Sequence, residues 1–453
     1  MERQPNGTTC AFWRAAILTV GVITLIAFFV TVHDVIVCSS PDLRVRIAGA
    51  RLLISHYNPY SAEHQNDPRF KIFMWRLTGP SSPYPPTLLL FSAPFCQLSY
   101  RAQTLIWFAL EWAAMLGSIG LIWKFLPQGI TRRFFLISAL LFFASSHFWR
   151  LHTQRGQYYV FLLFLEVLAW LGLCVKRQTP WFFGVPLGLA AAMRPTIGVA
   201  GFLLLVLGRW QAALAFFLSC ILFVAVTLPF GGPKLWSDWI VASKELGFAH
   251  RSEVYLDEHF GKEKTAPFTA EGVNFPGRDI DVRVVNLSLG GYVNAVMKKL
   301  VRNHAASTLE GEARQDQIAF AIAFIIGLLL TWYFRRRLQT SHSLMLVLLT
   351  GAALADFFAP VRFSYCDVIF CLPMALIIEE ARSIRGMWMA LSLFLLAMVL
   401  GNGYWTWLTA AQCENLRPTL ATAAMVVALA LYCLPTYSAS NHASPLAAEP
   451  TGT

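Results

Sequence analysis

Runs of about 18 to 28 apolar residues with almost no charge recur along this 453-residue chain, and they restrict its fold more than any other feature. Each run is long enough to cross a hydrocarbon core of about 30 Å as a helix. Charged residues make up 13% of the chain, against about a quarter in a soluble domain. The expected class is an all-α polytopic membrane protein. A soluble enzyme, a secreted disulfide scaffold and a disordered chain are excluded. The formal net charge of +11 comes from short Lys/Arg clusters between the apolar runs, where it anchors loops to anionic leaflets. No basic stripe interleaves with aromatics, so nucleic acid is not an expected partner.

The apolar blocks lie near 15–32, 86–99, 103–123, 133–149, 157–175, 181–207 and 211–229, then 318–334, 343–358, 366–379, 387–409 and 418–435. This predicts about twelve transmembrane helices in one domain, 1–435, followed by a disordered cytoplasmic tail, 436–453. Arg3 and Arg14 place the N-terminus inside, and an even count returns the C-terminus to the same side. Two large extracytoplasmic loops are expected, at about 36–86 and 230–317. The cluster Arg335-Arg336-Arg337 then faces the cytoplasm. With 86–99 as a full crossing, Lys124, Arg132, Arg133, Lys176 and Arg177 fall outside, against the positive-inside rule. A re-entrant 86–99, with 181–207 split at Met193-Arg194-Pro195, puts them inside. Of the nine cysteines, Cys96, Cys174, Cys220, Cys366, Cys371 and Cys433 lie in or beside apolar blocks and read as small hydrophobes. No C-x-x-C or H-E-x-x-H occurs, so neither a metal site nor another cofactor is expected.

The first loop opens with an amphipathic segment. Leu43, Ile47, Ala50 and Ile54 recur at helical spacing, with Arg44, Arg51 and Ser55 on another face. Such a helix lies in the membrane interface, holding Asp42 near headgroup level. A solvated helix N-cap is the structural alternative for Asp42, and Asp34 is a rival acid nearer the first helix. Further on, Pro85-Pro86 is suited to start a membrane helix.

Six elements then occur in order: Asp42-Leu-Arg-Val, Asn58-Pro-Tyr60, Tyr84-Pro-Pro86, Gly156-Gln157, Met193-Arg-Pro195 and Asn286-Leu-Ser-Leu-Gly290. Pro360-Val-Arg-Phe-Ser-Tyr365 follows. The set resembles the polyprenol-phosphate-mannose-dependent mannosyltransferases of glycosyltransferase family eighty-seven. The resemblance implies a GT-C fold and an integral-membrane enzyme of the cell envelope, multi-pass in the inner membrane. It also implies Asp42 as the catalytic residue. Arg46 stands where the family's typical tyrosine would be, Arg194 replaces a lysine, and Tyr365 replaces a histidine.

Transfer of a hexose such as mannose from a polyprenyl phosphate needs a base for the acceptor hydroxyl and cations for the departing phosphate. One carboxylate suffices for an inverting transfer, because the donor carries its own leaving group. Asp42 fits the base. Arg194 and Arg362 fit the phosphate, with ion pairing or snorkelling as their structural alternative. Tyr60, Tyr84 and Tyr365 suit sugar contacts or an aromatic belt. Gln157 and Asn286 suit polar contacts. The expected partners are the lipid-linked donor, a lipid or glycan acceptor and the bilayer. The alternative function is a transporter or lipid flippase. Transport calls for paired intramembrane charges and internal symmetry, and neither stands out in the sequence.

Overall fold

The computed structural model describes residues 7–38, 40–61, 84–175, 179–256, 309–359, 364–384, 386–400 and 410–434, with four short strands between 263 and 280. The fold is helical. Helix α1 (Gly7–Cys38) is followed by α2 (Pro41–Ile54), α3 (Pro86–Ser92), α4 (Tyr100–Phe125), α5 (Ile130–Ala139) and α6 (His147–Arg155). Next come α7 (Tyr159–Cys174), α8 (Pro180–Met193), α9 (Val199–Val206), α10 (Trp210–Thr227) and α11 (Gly232–Leu256). The last helices are α12 (Leu309–Phe334), α13 (Ser341–Phe357), α14 (Cys371–Glu380), α15 (Met387–Leu400) and α16 (Ala410–Cys433). Strands β1 (Glu263–Lys264) and β4 (Asp279–Ile280) pair antiparallel, as do β2 (Phe268–Ala270) and β3 (Val273–Phe275). They and α11 occupy the stretch read as the second loop.

Among the described residues, four segments are long and apolar enough to cross a membrane alone: Ala11–Val37, Tyr100–Phe125, Trp210–Phe230 and Gln317–Phe334. Their outer faces carry large apolar side chains such as Leu18, Ile221 and Leu329, each more than half exposed. In lipid that exposure is stabilising rather than costly. The fifth candidate is a bent pair, Ile130–Ala144 with His147–Arg155, turned by 52°. The bend falls where a π-helical turn, Leu140–Ala144, meets Ser146, whose hydroxyl accepts the Trp149 N–H and starts α6. The shorter apolar helices fill the interior, around Trp107, Trp149, Trp170 and Phe216.

Side-chain bonds between helix ends sort the bundle into two faces. Arg382 donates to Thr131 Oγ1 (3.3 Å), Ser341 to the Leu173 carbonyl (3.2 Å) and Arg209 to the Gln339 carbonyl (3.3 Å). Arg337 donates to the Cys433 carbonyl. His342 sits 3.1 Å from both Glu379 and Glu380. These bonds gather the ends of α4, α7, α9, α12 and α16 with the starts of α5, α13 and α15 on one basic face. Lys124, Arg132 and Arg133 therefore share a side of the bundle with Arg335–Arg337.

Two sequence blocks do not cross as single spans. The block 86–99 is α3 plus a 3₁₀ turn, Ala93–Phe95, about 16 Å of helix against a core of about 30 Å. Arg51 on α2 donates to the Cys96 carbonyl at 3.1 Å, so the end of this element lies beside α2. Pro86 does begin a helix, as its position predicted, but a short one. The block 181–207 is a hairpin. Helix α8 ends at Arg194, a 3₁₀ turn spans Pro195–Gly198 and α9 returns. Thr179, Pro180, Gly208 and Trp210 line one cavity of about 440 Å³, so both hairpin ends lie on the basic face. Close packing of α8 on α10 depends on Gly184 and Gly188. A Cβ on Gly188 would stand 2.0 Å from Ser219 Oγ and 2.2 Å from the Phe216 carbonyl.

The first helix runs to Cys38. The six cysteines read as hydrophobes are free and buried or half-buried.

Candidate active site

Helix α2 starts abruptly. Ser40 sits at φ 47°, Pro41 takes the first helical position and Asp42 the second. Asp42 is therefore not the N-cap, and its side chain is 15% exposed rather than solvated. Its carboxylate sits in the first turn, where the helix dipole favours negative charge. Arg155 grips it with two parallel bonds, Nε to Oδ2 at 2.7 Å and Nη2 to Oδ1 at 3.0 Å. Gln157 Nε2 donates to Oδ2 as well. Each carboxylate oxygen has two lone-pair sites, and Oδ1 takes one bond among the described residues. The rival acid, Asp34, is paired with Arg150 at the other end of α6. Helix α6 is thus clamped to α1 and α2 by two acid–arginine pairs.

Arg155 and Gln157 reach Asp42 because Gly156 turns the chain between them. Gly156 is left-handed, φ 67°, and closes α6. An added Cβ would stand 2.8 Å from Leu43 Cβ and 3.0 Å from Ser40 Cβ. Only glycine lets α2 approach so closely. Arg46, fully buried one turn beyond Asp42, donates to the Gly156 carbonyl. Its guanidinium lies 4.7 Å from the Trp107 ring centre, 5.2 Å from Tyr84 and 5.6 Å from Tyr158. Arg44, expected on the polar face of an interfacial helix, is also buried, with its Nε 2.5 Å from Tyr100 Oη. Helix α2 is therefore enclosed by α3, α4 and α6 rather than resting on the surface.

Tyr84 lies within electrostatic reach of Asp42, Arg46 and Arg155, and burial raises its phenol well above the usual range. Tyr60 donates to the Tyr84 carbonyl at 2.7 Å, and burial likewise pushes its hydroxyl up. Asn58 ties this loop to α11 by donating to Asp238 at 2.6 Å. Tyr84, Tyr158 and Tyr159 form an aromatic chain, with centroids 6.2 Å and 4.5 Å apart. The chain ends at Arg194, whose guanidinium lies 5.4 Å from Tyr159. Arg194 is not the isolated cation expected from its apolar surroundings. It pairs with Asp356 of α13, at 2.9 and 2.5 Å. Asp367 and Arg417 form a second pair, at 2.6 Å and almost wholly buried. Buried acid–arginine pairs are thus present, although the sequence did not display them.

Asp42, Tyr60, Tyr84, Gln157 and Arg194 are gathered in one region. Tyr365 lies on a 3₁₀ helix, Ser364–Phe370. Asn286 and Arg362 fall outside the described residues. Arg155 and Asp356 were missed. Asp356 carried a signal, an acid inside an apolar block; Arg155 carried none beyond its place in a basic stretch. No group of three or more metal-ligating side chains occurs among the described residues.

Residues 83–253 match the sequence model of glycosyltransferase family 87. Over these residues the chain is similar to that family. It contains Tyr84, Arg155, Gly156-Gln157 and Arg194, while Asp42 precedes it. No curated protein matches the chain. The family and the apolar helices together indicate a multi-pass membrane glycosyltransferase.

Proposed function

We propose that this protein transfers a hexose, mannose by its motif resemblance, from a polyprenyl-phosphate donor to a lipid or glycan acceptor, with inversion. The observation that carries this reading is the Asp42 carboxylate, fixed by Arg155 and Gln157 at the head of α2. Asp42 accepts the proton of the acceptor hydroxyl as the oxygen attacks the anomeric carbon, and the lipid phosphate leaves. The Arg155 fork orients the carboxylate and leaves a lone pair on Oδ1 for that proton. Arg194, at the tip of the α8–α9 hairpin, and Arg362 are assigned to the departing phosphate. Tyr60, Tyr84 and Tyr365 are assigned to the sugar, with Asn286 as a further polar contact.

In this reading the basic face is cytoplasmic, both termini lie there, and about twelve crossings form a GT-C-like bundle whose loops work on the opposite side of the inner membrane. Helix α3 and the α8–α9 hairpin each return to the face they leave, so neither changes the side on which the termini lie. A transporter gains no support from the family match.

The test is Asp42→Asn, which keeps size and polarity but loses basicity. Transfer from a short-chain polyprenyl-phosphate mannose should collapse while the membrane level of protein stays normal, and Asp34→Asn should do less harm. Full activity in Asp42→Asn with loss in Asp34→Asn would move the base to Asp34.

A further inference from the structure

Behind the Asp42 carboxylate lies a wholly buried polar cluster with no part in the chemistry above: Glu111 of α4, His152 of α6 and Arg46 of α2. Burying such groups costs several kcal/mol unless they are paired, so their arrangement calls for an account.

The arrangement can be traced bond by bond. The Val160 N–H donates to His152 Nε2 at 3.2 Å, so that nitrogen is an acceptor and the ring proton sits on Nδ1. Nδ1 faces Glu111 Oε1 at 3.2 Å. The ring also stacks on Trp149, with centroids 5.1 Å apart. The imidazole is thus anchored to the first turn of α7 and lies against the Glu111 carboxylate, in electrostatic contact without a well-aligned hydrogen bond. Arg46 supplies the positive charge that balances Glu111, and Trp107 and the Gln157 backbone lie beside the same carboxylate.

The other bonds of this cluster converge on one short turn. The Gln157 N–H donates to the His152 carbonyl at 3.0 Å. Trp107 Nε1 donates to the Gln157 carbonyl at 3.1 Å. Arg46 donates to the Gly156 carbonyl, and the Gly156 N–H donates to Thr153 at 3.1 Å. Every backbone polar group of Gly156 and Gln157 is thus held, three of the four by members of this cluster or by Trp107 beside it. The same turn carries Arg155 and Gln157, which hold Asp42.

We propose that Glu111, His152 and Arg46, with Trp107, form a positioning device that locks the 155–157 turn and so fixes the orientation of the Asp42 carboxylate. This inference rests on the reading of Asp42 as the base. Glu111 and His152 touch no reacting atom; they act through Gln157 and Arg155. A carboxylate misplaced by about 1 Å loses about 100-fold in rate, and a lone arginine contact to a flexible turn would not prevent that.

The experiment measures mannosyl transfer from a synthetic short-chain polyprenyl-phosphate mannose to host membrane lipids, by the full-length protein in proteoliposomes. Glu111→Gln should lower kcat by about 10- to 100-fold and leave KM for the donor within about twofold. In a Gln157→Ala background the same change should cost less than about threefold, because its route to Asp42 is already cut. Trp107→Phe keeps the ring over Arg46 and removes one donor to the turn. It should lower kcat in the same sense by less, and it decides the matter if Glu111→Gln does not fold. Wild-type kcat in folded Glu111→Gln or Trp107→Phe, or losses that multiply in full with Gln157→Ala, would overturn the inference. Asp42→Asn is run beside them. If it is inactive while Glu111→Gln is normal, the positioning device alone is wrong; if it is fully active, the base assignment is wrong and the device falls with it.

Discussion

Replacing Gly156 by alanine tests the geometry of the site at its narrowest point. The backbone there is left-handed, φ 67° and ψ 53°, which costs an L-residue about 1–2 kcal/mol. The new methyl would stand 2.8 Å from Leu43 Cβ and 3.0 Å from Ser40 Cβ, where carbons prefer about 3.5–4.0 Å. Relieving that overlap costs about a further 1–3 kcal/mol. Neither neighbour can yield cheaply, since both contacts are Cβ atoms fixed to the start of α2. The α2 N-terminus must therefore shift, and Asp42 stands between Ser40 and Leu43. Gly156→Ala should lose about 2–5 kcal/mol of stability and about 100-fold in turnover. Gly208→Ala is the control. It has φ 75° but nothing within 4 Å of the added methyl, and it lies on the basic face. It should show the backbone cost alone and retain turnover. Stability is read from thermal unfolding in detergent by tryptophan fluorescence, and turnover from donor-dependent transfer. If Gly156→Ala matches Gly208→Ala in both, the contact between α2 and the 155–157 turn does not govern the site.

Asp356→Asn should destabilise the protein by about 3–5 kcal/mol, because it leaves the Arg194 guanidinium without its counter-charge. The double replacement Arg194→Leu with Asp356→Leu should recover most of that loss in thermal unfolding, and wild-type transfer in the double variant would remove Arg194 from the phosphate site. Gly188→Ala should push α8 off α10 and lower the unfolding temperature, since its methyl meets the Phe216 carbonyl at 2.2 Å; an unchanged temperature would contradict that packing. A single cysteine at position 42 should react with an impermeant maleimide from outside intact cells and one at position 336 should not; the reverse pattern would invert the assignment of faces.

The amino-acid pattern makes the helices legible but not their depth. The chain breaks at Pro85-Pro86 and at Arg194-Pro195 appear where proline chemistry requires them. Yet the run 86–99 has the same hydropathy whether it crosses or folds back. What holds its far end beside α2 is Arg51 reaching the Cys96 carbonyl, a contact 45 residues distant in sequence. The candidate site was half legible for a similar reason. Asp42 and Gln157 carry motif signals and do meet. Arg155 does not stand out among its basic neighbours, because what distinguishes it is direction, set by a glycine turn. Glu111 and Asp356 were visible as acids inside apolar blocks, a costly placement that marks a partner. The partners, His152 and Arg194, lie 41 and 162 residues away in the chain, and no local pattern names them.

Placement of the two elements too short for a full crossing bears on how the lipid-linked donor proposed above would reach Asp42. Irregular backbone at membrane depth is tolerated only where protein or a water-lined cavity satisfies it. The hairpin arms, α8 with 14 residues and α9 with its preceding 3₁₀ turn, rise about 20 Å from the basic face, so their tip lies below the opposite surface. Thr87 of α3 donates to the Ala192 carbonyl of that tip at 2.5 Å, and α3 packs beside α2. The short helix α3, the hairpin tip and the enclosed helix α2 thus adjoin one another. Arg194 belongs to the tip, and the aromatic chain through Tyr159, Tyr158 and Tyr84 links it to Asp42. A polyprenyl phosphate carries its charge at the headgroup and its chain in the hydrocarbon. The arrangement suits such a donor, with the phosphate at the hairpin tip and the sugar directed along the tyrosines toward the carboxylate.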